Sequence, residues 1–248
     1  WERSSGKLLR TFPKQTERVW RVAFSSNEKK LITFSGWNTL HFWEIPSGKL
    51  LYTRSFHRGA ITSVAFSPSG QYLATGSVAY SEQIYPPSFW QNHILKLWSL
   101  QTGHNLHTLD AGGYGGYGPS VKIDLISFHP TQKILAANWS WRELHYSQAS
   151  IQLWDITQGK HLRDFSTKTR YTMSFVPFSC TAFSPDGKTI AVVHEQEGLR
   201  ILSTSTAAVI PGFSLPSYTQ CNDILFHPNG KMLAIAGRTE VSLWDISS

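Results

Sequence analysis

Five times along the chain an apolar strand closes on Phe, passes through a tight turn, and is followed seven residues later by Leu or Ile. The pairs are Phe24 and Leu31, Phe66 and Leu73, Phe128 and Leu135, Phe183 and Ile190, and Phe226 and Leu233. An offset that never slips constrains the fold more than composition does. Each copy is one supersecondary element that buries its apolar face only by stacking on its neighbours. The turns inside the pairs, such as Pro185-Asp186-Gly187 and Pro228-Asn229-Gly230, place Pro where φ of about −65° is wanted and Gly where φ turns positive, so each pair is a hairpin. A third strand follows in every repeat, "LHFWE", "LKLWS", "IQLWD", "LRILS" and "VSLWD", and then a turn and a fourth strand such as "KLLYTRSF". The expectation is an all-β chain of four-stranded antiparallel meanders. Five repeats are centred on 18–56, 57–109, 119–166, 176–214 and 217–248, and residues 1–12 form the tail of a preceding one.

The Trp-Asp pairs at 154–155 and 244–245, their variants Trp43-Glu44 and Trp98-Ser99, and the run "FHRGAITSVAFSPSGQYLATGS" at 56–77 resemble the WD-repeat family. The resemblance covers the whole chain. It implies a β-propeller, in which four-stranded blades stand radially around a channel, with His57 in the place of the family's Gly-His histidine. Leu202 stands where the family has Trp, and the family's Asp before the third strand has no counterpart at Trp37 or Arg238. The polar network that ties a WD blade is therefore incomplete, and apolar packing is expected to hold most blades. Trp1 lies 23 residues before Phe24, as Trp43 lies 23 before Phe66. That phase points to part of a longer, seven-bladed ring; a closed ring of five is the alternative.

Hydrophobic residues make up 41% of the chain and charged residues 16%, which argues for a packed globular protein and against disorder. No apolar run approaches the roughly 20 residues that cross a bilayer, and residues 1–12 have no signal-peptide pattern, so a soluble, cytoplasmic protein is expected. Cys180 and Cys221 are too few for a disulfide framework and read as buried thiols in a reducing compartment. The net charge is +7, of which +5 falls in the first 50 residues. This basic surface supports an alternative function, binding of phosphoinositide or nucleic acid, and "FHRG" at 56–59 partly resembles the Phe-Arg-Arg-Gly lipid site of autophagy propellers.

The spacing from the first-strand Phe to the third-strand Trp position is 19, 32, 26, 19 and 18 residues, and from that position to the next Phe it is 23, 30, 29 and 24. Extra sequence therefore falls at 78–92 and 139–148, between second and third strands, and at 110–120 and 166–177, between repeats. In an up-and-down meander these two kinds of connection emerge at the same end, so the four insertions are expected to line one face. They carry Tyr85, Phe89, Trp90, Tyr114, Tyr117, Trp139, Trp141, Tyr146 and Tyr171, with Arg142 and Arg170 among them. Tyr, Trp and Arg dominate binding hot spots, so these residues are the expected anchors for a protein or peptide partner. The charges in the insertions nearly cancel, which disfavours a nucleic-acid surface there.

Catalytic signatures are missing. "AGGYGGYGPSVK" lacks the Gly-Lys-Ser/Thr ending of a phosphate loop and leads into a strand. His104 and His107, three apart on a strand, read as solvent-facing, and His129 and His227 read as turn residues. The expectation is a non-catalytic interaction scaffold with no metal, no cofactor and no small-molecule substrate.

Overall fold

The computed structural model describes residues 4–25, 27–36, 38–55, 57, 60–80, 95–109, 120–142, 147–166, 178–194, 198–211 and 221–247. Among them lie eighteen strands and no helix. The chain divides into two compact units, Trp1–Ile61 and Thr62–Ser248.

The N-terminal unit holds the first repeat, β1 (Val19–Phe24), β2 (Lys30–Ser35), β3 (Thr39–Glu44) and β4 (Leu50–Ser55), as one antiparallel sheet in chain order. Phe24 pairs with Leu31, and Leu31 with Trp43, so the sequence offset of seven is a cross-strand row. Trp43 is buried and its indole N–H donates to Thr33 Oγ1 at 3.0 Å. The Thr33 hydroxyl donates in turn to Gln15 Oε1 at 3.1 Å, and the Phe12 ring stands edge-on to Trp43 at 5.7 Å. Arg10 reaches the carbonyls of Pro46 and Ser47, at 2.7 and 2.9 Å, which fastens the leading segment along this sheet.

The C-terminal unit carries the other repeats. The second is β5 (Ile61–Phe66, starting at the boundary), β6 (Tyr72–Tyr80), β7 (Leu95–Ser99) and β8 (Asn105–Leu109); the third is β9 (Ser120–Phe128), β10 (Ile134–Arg142), β11 (Ser147–Asp155) and β12 (Lys160–Ser166). The fourth is β13 (Phe178–Phe183), β14 (Thr189–His194) and β15 (Gly198–Ser203), and the fifth β16 (Asp223–Phe226), β17 (Met232–Ala236) and β18 (Val241–Asp245). The cross-strand row recurs: Phe128, Leu135 and Trp154; Phe183, Ile190 and Leu202; Phe226, Leu233 and Trp244. Four strands in every repeat was the expectation, and the fourth repeat departs from it. Among the described residues it is three-stranded, and its fourth strand shrinks to the bridge of Leu202 with Val209. Pro211 follows two residues after Val209 and has no N–H with which to extend the ladder.

Three apolar clusters among the described residues of this unit lie between successive repeats. Leu95, Leu97 and Leu109 pack on Ile123, Leu135 and Trp154; Ile151, Leu153 and Phe165 on Phe183, Ile190 and Leu202; Val193 and Leu199 on Ile224, Leu233 and Ile235. Sheets thus stack face on face, as propeller blades do.

One feature of the backbone departs from simple stacking. β6 pairs with β7 as far as Gly76 opposite Leu95, and then from Val78 to Tyr80 it pairs with β9, at Lys122, Val121 and Ser120. The second and third repeats are therefore joined by hydrogen bonds into one sheet of eight strands. Gly76 permits the crossing, because a Cβ there would stand 2.5 Å from Ile123, itself fully buried. Gly76→Val is expected to destabilise the unit by about 2 kcal/mol through overpacking. Urea unfolding would read this, and an unchanged midpoint would show that β6 and β9 part at no cost.

Candidate interaction face

The seam between β6 and β9 organises the region where the insertions leave the sheet. Tyr80 pairs with Ser120, Ser120 with Arg142, and Arg142 with Ser147. These four residues form one row across four strands, about 14 Å long at the usual strand spacing. They directly flank residues 81–94, 110–119 and 143–146, so three segments depart from one line. The fourth begins after Ser166, which pairs with Ser150 on β11.

Tyr85, Phe89, Trp90, Tyr114, Tyr117, Tyr146, Arg170 and Tyr171 lie outside the described residues. Trp141 and Arg142 belong to β10, where Trp141 pairs with Val121 and Gln148. Much of the third-repeat insertion is therefore added strand, where loop was expected. For Trp139 this overturns the expected role as an exposed anchor. It is 4% exposed and packs with Leu135, Ala137 and Trp154, because strand alternation continued through 139 turns its ring to the core face.

Three ties between repeats escaped sequence reading. His107, expected to face solvent, packs on Gly159, and its Nε2 donates to the Thr157 carbonyl at 3.1 Å. His129 is more than a turn residue. Its Nδ1 accepts from the amides of Thr131 and Gln132, at 3.2 and 3.0 Å, which fixes the proton on Nε2, and Nε2 donates to the Gly187 carbonyl of the next repeat at 3.0 Å. Burial pushes the His129 imidazole below its ordinary pKa, against the opposing pull of the Gly187 carbonyl and the Asp186 charge. Cys180 and Cys221 are joined in a disulfide, with Cα atoms 5.8 Å apart, and are not free thiols. Stacking brings β13 beside the entry to β16, a proximity that a sequence separation of 41 conceals. The two cysteines therefore do not point to a reducing compartment.

In the first two repeats the polar tie to the Trp indole falls at one position. Thr33 and Thr75 sit two residues after Leu31 and Leu73 and accept the indole N–H groups of Trp43 and Trp98, at 3.0 and 2.8 Å. The third repeat has Ala137 there, and the buried Trp154 indole N–H has no partner among the described residues. No group of three or more His, Cys, Asp or Glu among the described residues is arranged to hold a metal ion.

Antiparallel sheets that repeat along the chain with a shared cross-strand row, and that stack face on face in the C-terminal unit, are built as propeller-blade repeats are. Residues 6–44 and 48–99 match the family model for the WD domain, G-beta repeat. The match falls on the repeats that keep the Trp-to-Thr bond. Among similar proteins, Pre-mRNA-processing factor 19 homolog 2 of Arabidopsis thaliana is 25% identical over 213 residues, 84% of this chain and 34% of that protein. An uncharacterized WD repeat-containing protein of Synechocystis sp. is 35% identical over 74 residues, 29% of this chain and 21% of that protein. The chain spans about a third or less of the length of these relatives.

Proposed function

We propose that this chain is a non-catalytic scaffold that binds a peptide or protein through the segments leaving the Tyr80, Ser120, Arg142, Ser147 row. The observation that carries the reading is that row, since it starts three aromatic-rich segments side by side. Trp90, Trp141 and Tyr146 act as anchors, Tyr85, Phe89, Tyr114, Tyr117 and Tyr171 widen the apolar surface, and Arg142 and Arg170 orient polar groups of the partner. Aromatic anchors on a shared platform give large contact area at small entropic cost. WD repeats and the similarity to a pre-mRNA-processing factor support an interaction role.

Photo-crosslinking from Phe89 and Tyr146 is expected to capture one partner that the same crosslinker at Lys231 does not. Trp90→Ala and Trp141→Ala should each weaken that complex by roughly 2 kcal/mol, about thirtyfold in Kd. The complex should survive about 0.5 M salt, since exposed charge attraction is screened there. Loss of binding in salt, with both Trp variants at full affinity, would overturn the reading in favour of the basic surface.

A further inference from the structure

From the third repeat to the fifth, the hairpin turn that joins the first two strands of one repeat faces the same turn of the next. Two such junctions are filled differently. Between repeats three and four the His129 ring lies 5.2 Å from the Phe183 ring and so close to Gly187 that a Cβ there would stand 2.0 Å from it. The Gly187 carbonyl accepts from His129 Nε2 at 3.0 Å and from Thr204 Oγ1 at 2.9 Å. One repeat further on, Ser184 takes the place of His129, and Ile246 takes the place of Thr204. The Ser184 hydroxyl turns back into its own hairpin, to Asp186 Oδ1 at 2.6 Å, and Ile246 has no donor to offer. A Cβ on Gly230 would meet only Pro185 Cδ, at 3.9 Å. What remains is a groove of about 590 Å³ whose lining includes Ser184, Pro185, Asp186, Phe226, Gly230 and Ile246.

We propose that this groove is a docking site for an imidazole side chain presented by a peptide or protein partner. The incoming ring repeats the contacts that His129 makes one repeat earlier: it lies against Phe226 beside Pro185, and one ring N–H donates to the Gly230 carbonyl. Asp186 supplies the complementary charge. The Ser184 hydroxyl and the Lys188 amide hold its carboxyl below the usual range, so it faces the groove as an anion and favours a protonated ring. The volume falls within the roughly 300–1,000 Å³ of ligand pockets and leaves room for residues flanking the inserted one. The site is independent of the aromatic platform, because first strands such as β9 have the insertion row at one end, Ser120, and these turns beyond the other, Phe128.

The test is amide NMR of the 248-residue chain titrated with N-acetylhistidine methylamide, with N-acetylalanine methylamide as the comparison. Saturable shifts are expected at Asn229, Gly230 and Lys231 with the histidine probe, and smaller, non-saturating ones with the alanine probe. Ser184→His should abolish the response, because its own ring then occupies the groove as His129 does. Equal responses to both probes, no response at these amides, or a full response in folded Ser184→His would each overturn the proposal. If Ser184→His does not fold, the comparison of the two probes on the unaltered chain still decides.

Discussion

Replacing Cys180 and Cys221 together by Ala is expected to lower the stability of the Thr62–Ser248 unit by about 4 kcal/mol at 25 °C. A cross-link that closes a loop of this length removes about that much chain entropy from the unfolded state. The loop, 41 residues by sequence separation, starts within β13 and encloses all of β14 and β15, so the bond staples the fourth repeat to the fifth. Both sulfurs are buried, which hinders attack on the folded protein. The measurement is therefore a thermal melt of protein refolded with and without a dithiol reductant, beside the double variant. The reduced chain and the variant should melt together, roughly 10 °C below the oxidised chain. Identical melting of oxidised and reduced chains would show that stacking alone holds these repeats.

His129→Ala is expected to cost about 3 kcal/mol, through hydrogen bonds lost to two amides and a carbonyl in a buried setting. Its pH dependence separates this residue from a generic core contact. The imidazole pKa is lowered in the fold from the ordinary 6.5, first by burial, so between the two values the unfolded chain binds more protons than the folded one. The neutral ring's contribution is full above 6.5 and is lost as pH falls through the folded value. Chemical denaturation from about pH 7 down to about pH 5 should show stability declining, with a shallower slope in His129→Ala. His41 in the N-terminal unit is shifted the same way, first by burial, and leaves a residual slope. Parallel slopes in the two proteins would refute the assignment to His129.

The repeat was legible because its register is local. An offset of seven from Phe to Leu is a hairpin pair, and Trp98 opposite Leu73 or Trp154 opposite Leu135 follows once the third strand is recognised. Apolar packing between sheets could be anticipated from the missing Asp residues. Features that need a neighbour could not. Gly76 reads as an ordinary strand residue until Ile123 of the next repeat lies against it, and His129 as a turn residue until Gly187 approaches its ring. Trp139 reads as loop in the sequence because a count of extra residues does not distinguish a longer hairpin from a longer connection. The extra length of the third repeat was legible, and its form was not, since β10 and β11 absorb part of it as ladder.

Tandem repeats held only by side-chain stacking can peel away one at a time from an end. The bonds from Val78, Ala79 and Tyr80 to β9 remove that freedom for the second and third repeats, because neither detaches without tearing a ladder that belongs to the other. The pair should melt as a single cooperative block. Strain arriving where the flanking segments meet it would then be carried by both repeats together, as by a plate and not a hinge.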